Sequence, residues 1–185
     1  MQVKPLKLND AFILKPKIFF DDRGYFYESY NERTFHKKVN SHHKFIQDNI
    51  SRSSKGVLRG LHFQKEFPQG KLIRVQEGKI FDVIVDLRPS SSTFKGWQGI
   101  QLSSEKFEQI WIPPGFAHGF LVLSEFAEIQ YKCTAKYSPE NELCLLWNDP
   151  ELSIEWPIGN LDKEQIILSI KDSKGKSLKE LQSYL

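Results

Sequence analysis

An arginine and a histidine three positions apart, Arg59 and His62, interrupt the strand-like run Val57–Gln64, V-L-R-G-L-H-F-Q. A guanidinium holds phosphate or carboxylate through a planar fork of donors. An imidazole gains and loses a proton near neutral pH. Together they suggest the floor of a site that binds an anion and moves a proton. Taken alone, His62 is as well read as a hydrogen-bonded core histidine. Arg59 weighs against that, because a cation on the same short strand needs an anion or water. Strict alternation puts the two on opposite faces unless Gly60 carries a bulge, as strand glycines often do.

Other residues invite the same double reading. Lys71 opens a strand, where a lysine is ordinarily a solvated edge charge. His118 lies in W-I-P-P-G-F-A-H-G-F, between Phe116 and Phe120. With His62 it raises the question of a metal. A metal-binding small β-barrel offers two histidines one residue apart and then a carboxylate. Here Phe63 and Gln64 follow His62, so no metal is expected. Alternation along Ala127–Cys133 groups Tyr131 with Ala127, Ile129 and Cys133 on an inner face, with Glu128, Gln130 and Lys132 outward. An inward Tyr is a core residue with a satisfied hydroxyl, or a proton donor in a cavity. In F-I-Q-D-N-I, Gln47 and Asn49 share one parity; such amides read a base edge or a sugar hydroxyl, or simply meet water. The segment Phe20–Tyr30 has turn chemistry at Asp21–Gly24 and then an aromatic strand, with Arg23 before it and Glu28 within it.

The elements that must position these groups read as many short strands. Leu72–Gln76, Lys79–Leu87, Trp97–Leu102, Gln109–Ile112, His118–Leu123, Ala127–Thr134 and Leu143–Trp147 are separated by turn-forming residues. Along Lys79–Leu87, Phe81, Val83, Val85 and Leu87 share one face, and Asp82 and Asp86 the other. Asn31 is placed to cap a helix through Val39. Ser177 with Glu180 makes a capping-box pattern ahead of Leu178, Leu181 and Leu185. Strands at such intervals indicate a sandwich or barrel, so one all-β domain over residues 1–185, with short peripheral helices, is expected. The 14 Phe, 6 Tyr and 4 Trp suit β surfaces and stacking pockets. A net charge of +3, from 26 basic and 23 acidic residues, is too small to argue for nucleic acid. Cys133 and Cys144 have no metal-type spacing and read as buried free thiols. No apolar run approaches a membrane span, and the N-terminus lacks the apolar core of a signal peptide. A cytoplasmic location is expected.

Seven strings in register carry a family resemblance: F-x-D-x-R-G-Y-F-Y-E-S-Y, Q-D-N-I-S-x-S, V-L-R-G-L-H-F-Q, Q-G-K-L-I-R, W-I-P-P-G-F-A-H-G-F, Y-K-C-T and W-N-D-P. From about Phe12 to about Gly175 the chain resembles the nucleotide-sugar 3,5-epimerases. The loop Lys65–Pro68 and the tail after Gly175 are not placed by it. The resemblance implies a cupin-type jelly-roll β-barrel, a homodimer that exchanges N-terminal strands, no metal and no cofactor. It implies epimerisation at C3 and C5 of a dTDP-4-keto-6-deoxyhexose. His62 would be the base, paired with Asp172 of S-I-K-D-S. Lys71 would stabilise the enolate oxygen, and Tyr131 would return a proton to C5 from the opposite face. Arg59, His118 and Lys171 would contact sugar or phosphates. Arg23, Phe26, Glu28, Gln47 and Asn49 would help hold the nucleotide, with Tyr137 stacked on the base and Glu142 nearby.

The chemistry accounts for those residue types. A proton beside a ketone is weakly acidic, so its removal needs a base poised near neutral pH. The enolate places its charge on the C4 oxygen, where a cation or donor helps. Inversion requires the proton to return on the other face. Three other readings compete: the same chemistry on a GDP- or CDP-linked sugar (including a heptose) or at one carbon only, a non-catalytic sugar-nucleotide-binding protein, and a metal-dependent oxygenase of similar fold.

Overall fold

The computed structural model describes residues 1–159 and 166–184. Among these residues, period-two alternation is resolved into thirteen strands. In chain order they are β1 (Gln2–Pro5), β2 (Phe12–Lys15), β3 (Phe19–Asp21), β4 (Gly24–Phe26), β5 (Gln47–Ser54), β6 (Leu58–Gln64), β7 (Lys71–Glu77), β8 (Lys79–Asp86), β9 (Trp97–Ser103), β10 (Gln109–Ile112), β11 (Phe116–Val122), β12 (Phe126–Cys133) and β13 (Glu142–Cys144). One sheet runs β1-β2-β10-β7-β12-β5 and the other β13-β6-β11-β8-β9, while β3 and β4 form a separate hairpin. The named strand pairs are antiparallel. Two facing antiparallel sheets make a jelly roll, the expected all-β class.

Three apolar layers hold it. Between the sheets, Ile73, Val75, Ile110 and Ile129 of the first meet Ile80, Ile84, Phe116 and Phe120 of the second, and Tyr131 packs at the margin. Outside the second sheet, Leu61, Val83, Val85 and Leu121 are covered by Leu152, Trp156, Leu178 and Leu181. Outside the first, Leu14, Leu72 and Trp111 meet Phe35 and Val39. These last two lie on α1 (Glu32–Val39), whose N-cap Asn31 accepts from Thr34 N at 3.0 Å. Two four-residue helices follow late in the chain, α2 (Ile170–Ser173) and α3 (Leu178–Leu181). Ser177 and Glu180 form the expected capping box on α3, and Leu185 lies outside the described residues.

Several expectations are adjusted. Alternation along β8 holds, but both faces are buried. The Val83–Val85 row faces the outer layer, and Asp82 points between the sheets. The strand expected at Leu143–Trp147 stops at Cys144, because Leu146 N turns to Lys176 O at 2.8 Å. The aromatic strand after Gly24 stops at Phe26. Beyond it the chain is tied by side chains instead: Arg74 donates to Tyr27 Oη at 2.7 Å and Gln109 to Ser29 O at 2.7 Å.

The distortion that matters lies between β6 and β11. His62 pairs with His118, and Arg59 with Phe120. Four residues of β6 therefore oppose three of β11, a bulge centred on Gly60 at φ +117°. A Cβ on Gly60 would lie 2.5 Å from Gly119 Cα and 2.7 Å from His118 O. Gly60→Ala should therefore cost about 1–3 kcal/mol of stability, read as a lowered urea midpoint.

Candidate active site

The bulge turns Arg59 and His62 toward one cavity of about 220 Å³ at the end of the inter-sheet space. Lys71, His118, Tyr131, Asn49 and Glu142 line it with them. The second sheet supplies Arg59, His62, His118 and Glu142, and the first supplies Asn49, Lys71 and Tyr131. The cavity thus has two opposed walls.

His62 is fixed from behind. Its Nε2 lies 2.5 Å from Asp172 Oδ1. Asp172, on α2, is 3% exposed and also accepts from Ser169 Oγ at 2.7 Å and Gly60 N at 3.4 Å. Burial pushes the Asp172 carboxyl up, but the bonds from His62 and Ser169 outweigh it and hold the group below the usual range. An ionised Asp172 accepts from Nε2–H, which leaves Nδ1 as the free base nitrogen. Nδ1 faces Glu142 Oε1 at 3.8 Å.

Glu142 joins the residues around the rim. It accepts from Tyr137 Oη at 2.6 Å and from the Lys171 ammonium. Burial raises its carboxyl, but the Lys171 and Tyr137 bonds outweigh it and bring the group below the usual range. Tyr137 is pushed up to about 12, chiefly by the Glu142 bond. Gln47 reaches the rim through Asn49 Oδ1, to which its Nε2 donates at 3.0 Å, and accepts from Tyr137 N at 2.9 Å.

On the other wall, burial lowers the Lys71 ammonium from its ordinary range, while Cys133, Glu142 and Asp82 hold it up. Its Nζ lies 3.5 Å from His62 O. Burial raises the Tyr131 phenol, and the hydroxyl of Ser51, 2.9 Å away, opposes that shift. Arg59 Nε donates to Ser53 Oγ at 2.9 Å, which leaves its terminal nitrogens for an anion. His118 Nε2 pairs with Asp82 Oδ2 at 2.7 Å.

Of the residues singled out in the sequence, Asp172, Gln47, Tyr137 and Lys171 reach the cavity through residues that line it, and three others lie apart from it. Arg23 pairs with Asp21 and its side chain is 90% exposed. Phe26 is 74% exposed, and Glu28 accepts from Asn31. Arg23 and Phe26 belong to the projecting β3–β4 hairpin, and Glu28 follows it. Sequence reading missed Ser51, Ser53 and Asp82. The two serines continue the Gln47–Asn49 parity, and a carboxylate in an apolar strand marks Asp82. Both signals were present in the chain.

His62, Cys144 and Asp172 offer ligand atoms within 4.8 Å of one another. The fit to a metal is poor. Burial and Asp172 push the Cys144 thiol up to about 12, whereas ligation needs the thiolate. His62 Nε2 and Asp172 Oδ1 also spend themselves on each other.

Fold and cavity together are those of a cupin-type sugar-nucleotide epimerase. The family model for dTDP-4-dehydrorhamnose 3,5-epimerase matches residues 5–180, past the Gly175 limit read from the motifs, and the chain belongs to that family. It is 49% identical over 184 residues to the dTDP-4-dehydrorhamnose 3,5-epimerase of Pseudomonas aeruginosa, covering 100% of this chain and 99% of the relative. A crystal structure of the Legionella pneumophila dTDP-6-deoxy-D-glucose-3,5-epimerase, in complex with dTDP-4-keto-L-rhamnose, superposes with a TM-score of 0.93. It shares 46% identity and covers 98% of this chain and 95% of its own. The Bacillus anthracis dTDP-4-dehydrorhamnose 3,5-epimerase, with TDP and PPi bound, gives a TM-score of 0.89 at 45% identity, over 96% and 99% of the two chains.

The depressed Asp172 carboxyl has a consequence for stability. A folded-state value below the ordinary 3.8 makes its contribution complete above that pH and lost as pH falls through the folded value. Urea melts from pH 6 to about 2 should therefore show a steeper acid decline in the wild type than in Asp172→Asn, which lacks this titration.

Proposed function

We propose that this chain converts dTDP-4-dehydro-6-deoxy-D-glucose to dTDP-4-dehydro-L-rhamnose by inverting C5 and C3 beside the C4 ketone. The observation that carries the reading is the placement of a free imidazole nitrogen and a phenol on opposed walls of one cavity. His62 Nδ1 takes the C5 proton, and the electron pair moves onto the C4 oxygen. Lys71 Nζ stabilises that oxygen as the enolate. The pair returns to C5, which accepts the Tyr131 proton on the other face. After His62 has released the C5 proton to water, its Nδ1 removes the C3 proton, the pair again moves onto the C4 oxygen, and a solvent water protonates C3 on the opposite face as the ketone re-forms. Asp172 holds the imidazole in its working tautomer and offsets the charge it gains.

Around this centre, Arg59, His118 and Lys171 contact sugar or phosphates. Gln47, Asn49, Tyr137 and Glu142 hold the nucleotide side. The relatives' bound dTDP-4-keto-L-rhamnose and TDP support thymidine over a GDP- or CDP-linked substrate. No step needs a metal or cofactor. We place the protein in the cytoplasm on its two free, buried cysteines.

The working form in this reading is a homodimer. Phe19, Phe20, Tyr25 and Phe26 are 52%, 72%, 59% and 74% exposed on one hairpin, an apolar surface that needs cover. Exchange of N-terminal strands would cover it and carry Arg23, Phe26 and Glu28 to the second subunit's cavity.

His62→Ala should lose about 10²–10⁴ of the rate. With dTDP-4-keto-6-deoxyglucose in deuterated water, proton NMR should show label entering C3 and C5 in the wild type, before and after chelation. Label at one carbon alone would reject the double epimerase. The dimer has its own check. Refolding Arg23→Ala together with His62→Ala chains should recover activity that neither homodimer shows, because one site of each hybrid is intact. No recovery would place Arg23 outside the partner's site.

A further inference from the structure

The inner face of β5 is polar at every second position, and each side chain bonds a residue of the cavity. Gln47 donates to Asn49 Oδ1, Asn49 donates to Cys133 Sγ, Ser51 bonds Tyr131, and Ser53 accepts from Arg59. The register sets Asn49 opposite Tyr131 and Ser51 opposite Ile129. Ser51 is therefore the diagonal neighbour of Tyr131 across an antiparallel pair, within reach of its ring tip. The two oxygens are 2.9 Å apart. Ser51 is only half-buried and lies on the edge strand of its sheet, so it touches both the phenol and the solvent side.

Resting on Tyr131 as the C5 proton donor, we propose that Ser51 is a positioning residue for that step. Its hydroxyl aims the phenol into the cavity, donates to the phenolate once the proton has left, and links Tyr131 to solvent for reprotonation. The balance over one C5 inversion is simple. The substrate C–H proton goes to His62 Nδ1, the Tyr131 O–H proton goes to C5, and the pair on the C4 oxygen returns to the ketone. His62 then loses a proton to water and Tyr131 regains one, with no net change in the protein.

A phenolate in this cavity is costly because burial disfavours its charge. Ser51 supplies the hydrogen bond that opposes that cost at the reacting oxygen itself. Among the described residues its side chain hydrogen-bonds Tyr131 and neither His62 nor Lys71. Its removal should therefore divide the two carbons.

The test measures deuterium wash-in at C5 and C3 separately, by proton NMR on the intact protein. Ser51→Ala should slow C5 exchange about 10- to 100-fold, the worth of one hydrogen bond to a charged group, while C3 exchange stays near wild type. Ser51→Thr keeps the hydroxyl and should restore the C5 rate. Ser51→Cys, close in size but a weak donor, should fall between, and it serves if the alanine chain does not fold. Ser53→Ala, on the same face but bonded to Arg59, should weaken both carbons in step through substrate binding. Equal slowing of C3 and C5 in Ser51→Ala, or no slowing, or failure of threonine to rescue, overturns the inference. Tyr131→Phe separates it from the underlying reading: if C5 exchange survives that change, the donor assignment itself is wrong.

Discussion

Gly60 and Gly119 approach so closely that neither backbone leaves room for a side chain on the other. The site depends on that contact. It lets β6 place four residues against three of β11. A regular strand would point Arg59 and His62 to opposite faces; the bulge turns both toward one cavity. It also brings Gly60 N to Asp172 Oδ1, so the same kink helps anchor the acid that holds His62. Leu61, between them, is fully buried under the outer layer, which locks the bend in place.

Around this kink the jelly roll does what its layers allow. A sandwich has two inner faces, so groups on opposed sheets meet a bound molecule from opposite sides. His62 belongs to one sheet and Tyr131 to the other. Inversion at carbon needs this arrangement, with one face deprotonated and the other reprotonated. Both groups stand on strands rather than loops, so the main-chain ladders fix their positions.

Charges in such a cavity are expensive unless paired. His62 has Asp172, His118 has Asp82, and Glu142 has Lys171 and Tyr137. Burial lowers the Lys71 ammonium from its ordinary range, and the Glu142 and Asp82 carboxylates oppose that only in part and at a distance rather than through a direct ion pair. Asp82 Oδ1 has no hydrogen-bond partner among the described residues. The same carboxylate orients His118 and supports the charge of Lys71.

Much was legible in the chain because it is local. Strand alternation placed Tyr131 inward, turn residues separated the strands, and Asn31 and Ser177 marked helix starts. Motif strings supplied the family and with it the residues proposed for the site. Some was present but passed over: Ser51 and Ser53 on the Gln47–Asn49 parity, and Asp82 in an apolar strand. What the residues alone could not say was which faces look at one another. Period two assigns a side chain to a face but does not say what that face meets. Asp172 reaches His62 across 110 positions of sequence, and whether Arg59 shares its cavity turned on one glycine. The sequence by itself determined the strands, the caps and the chemical types at the site. The tertiary structure alone decided the pairings and the two opposed walls, because these come from sheets packing on each other and from a bulge that only the close approach of two backbones requires.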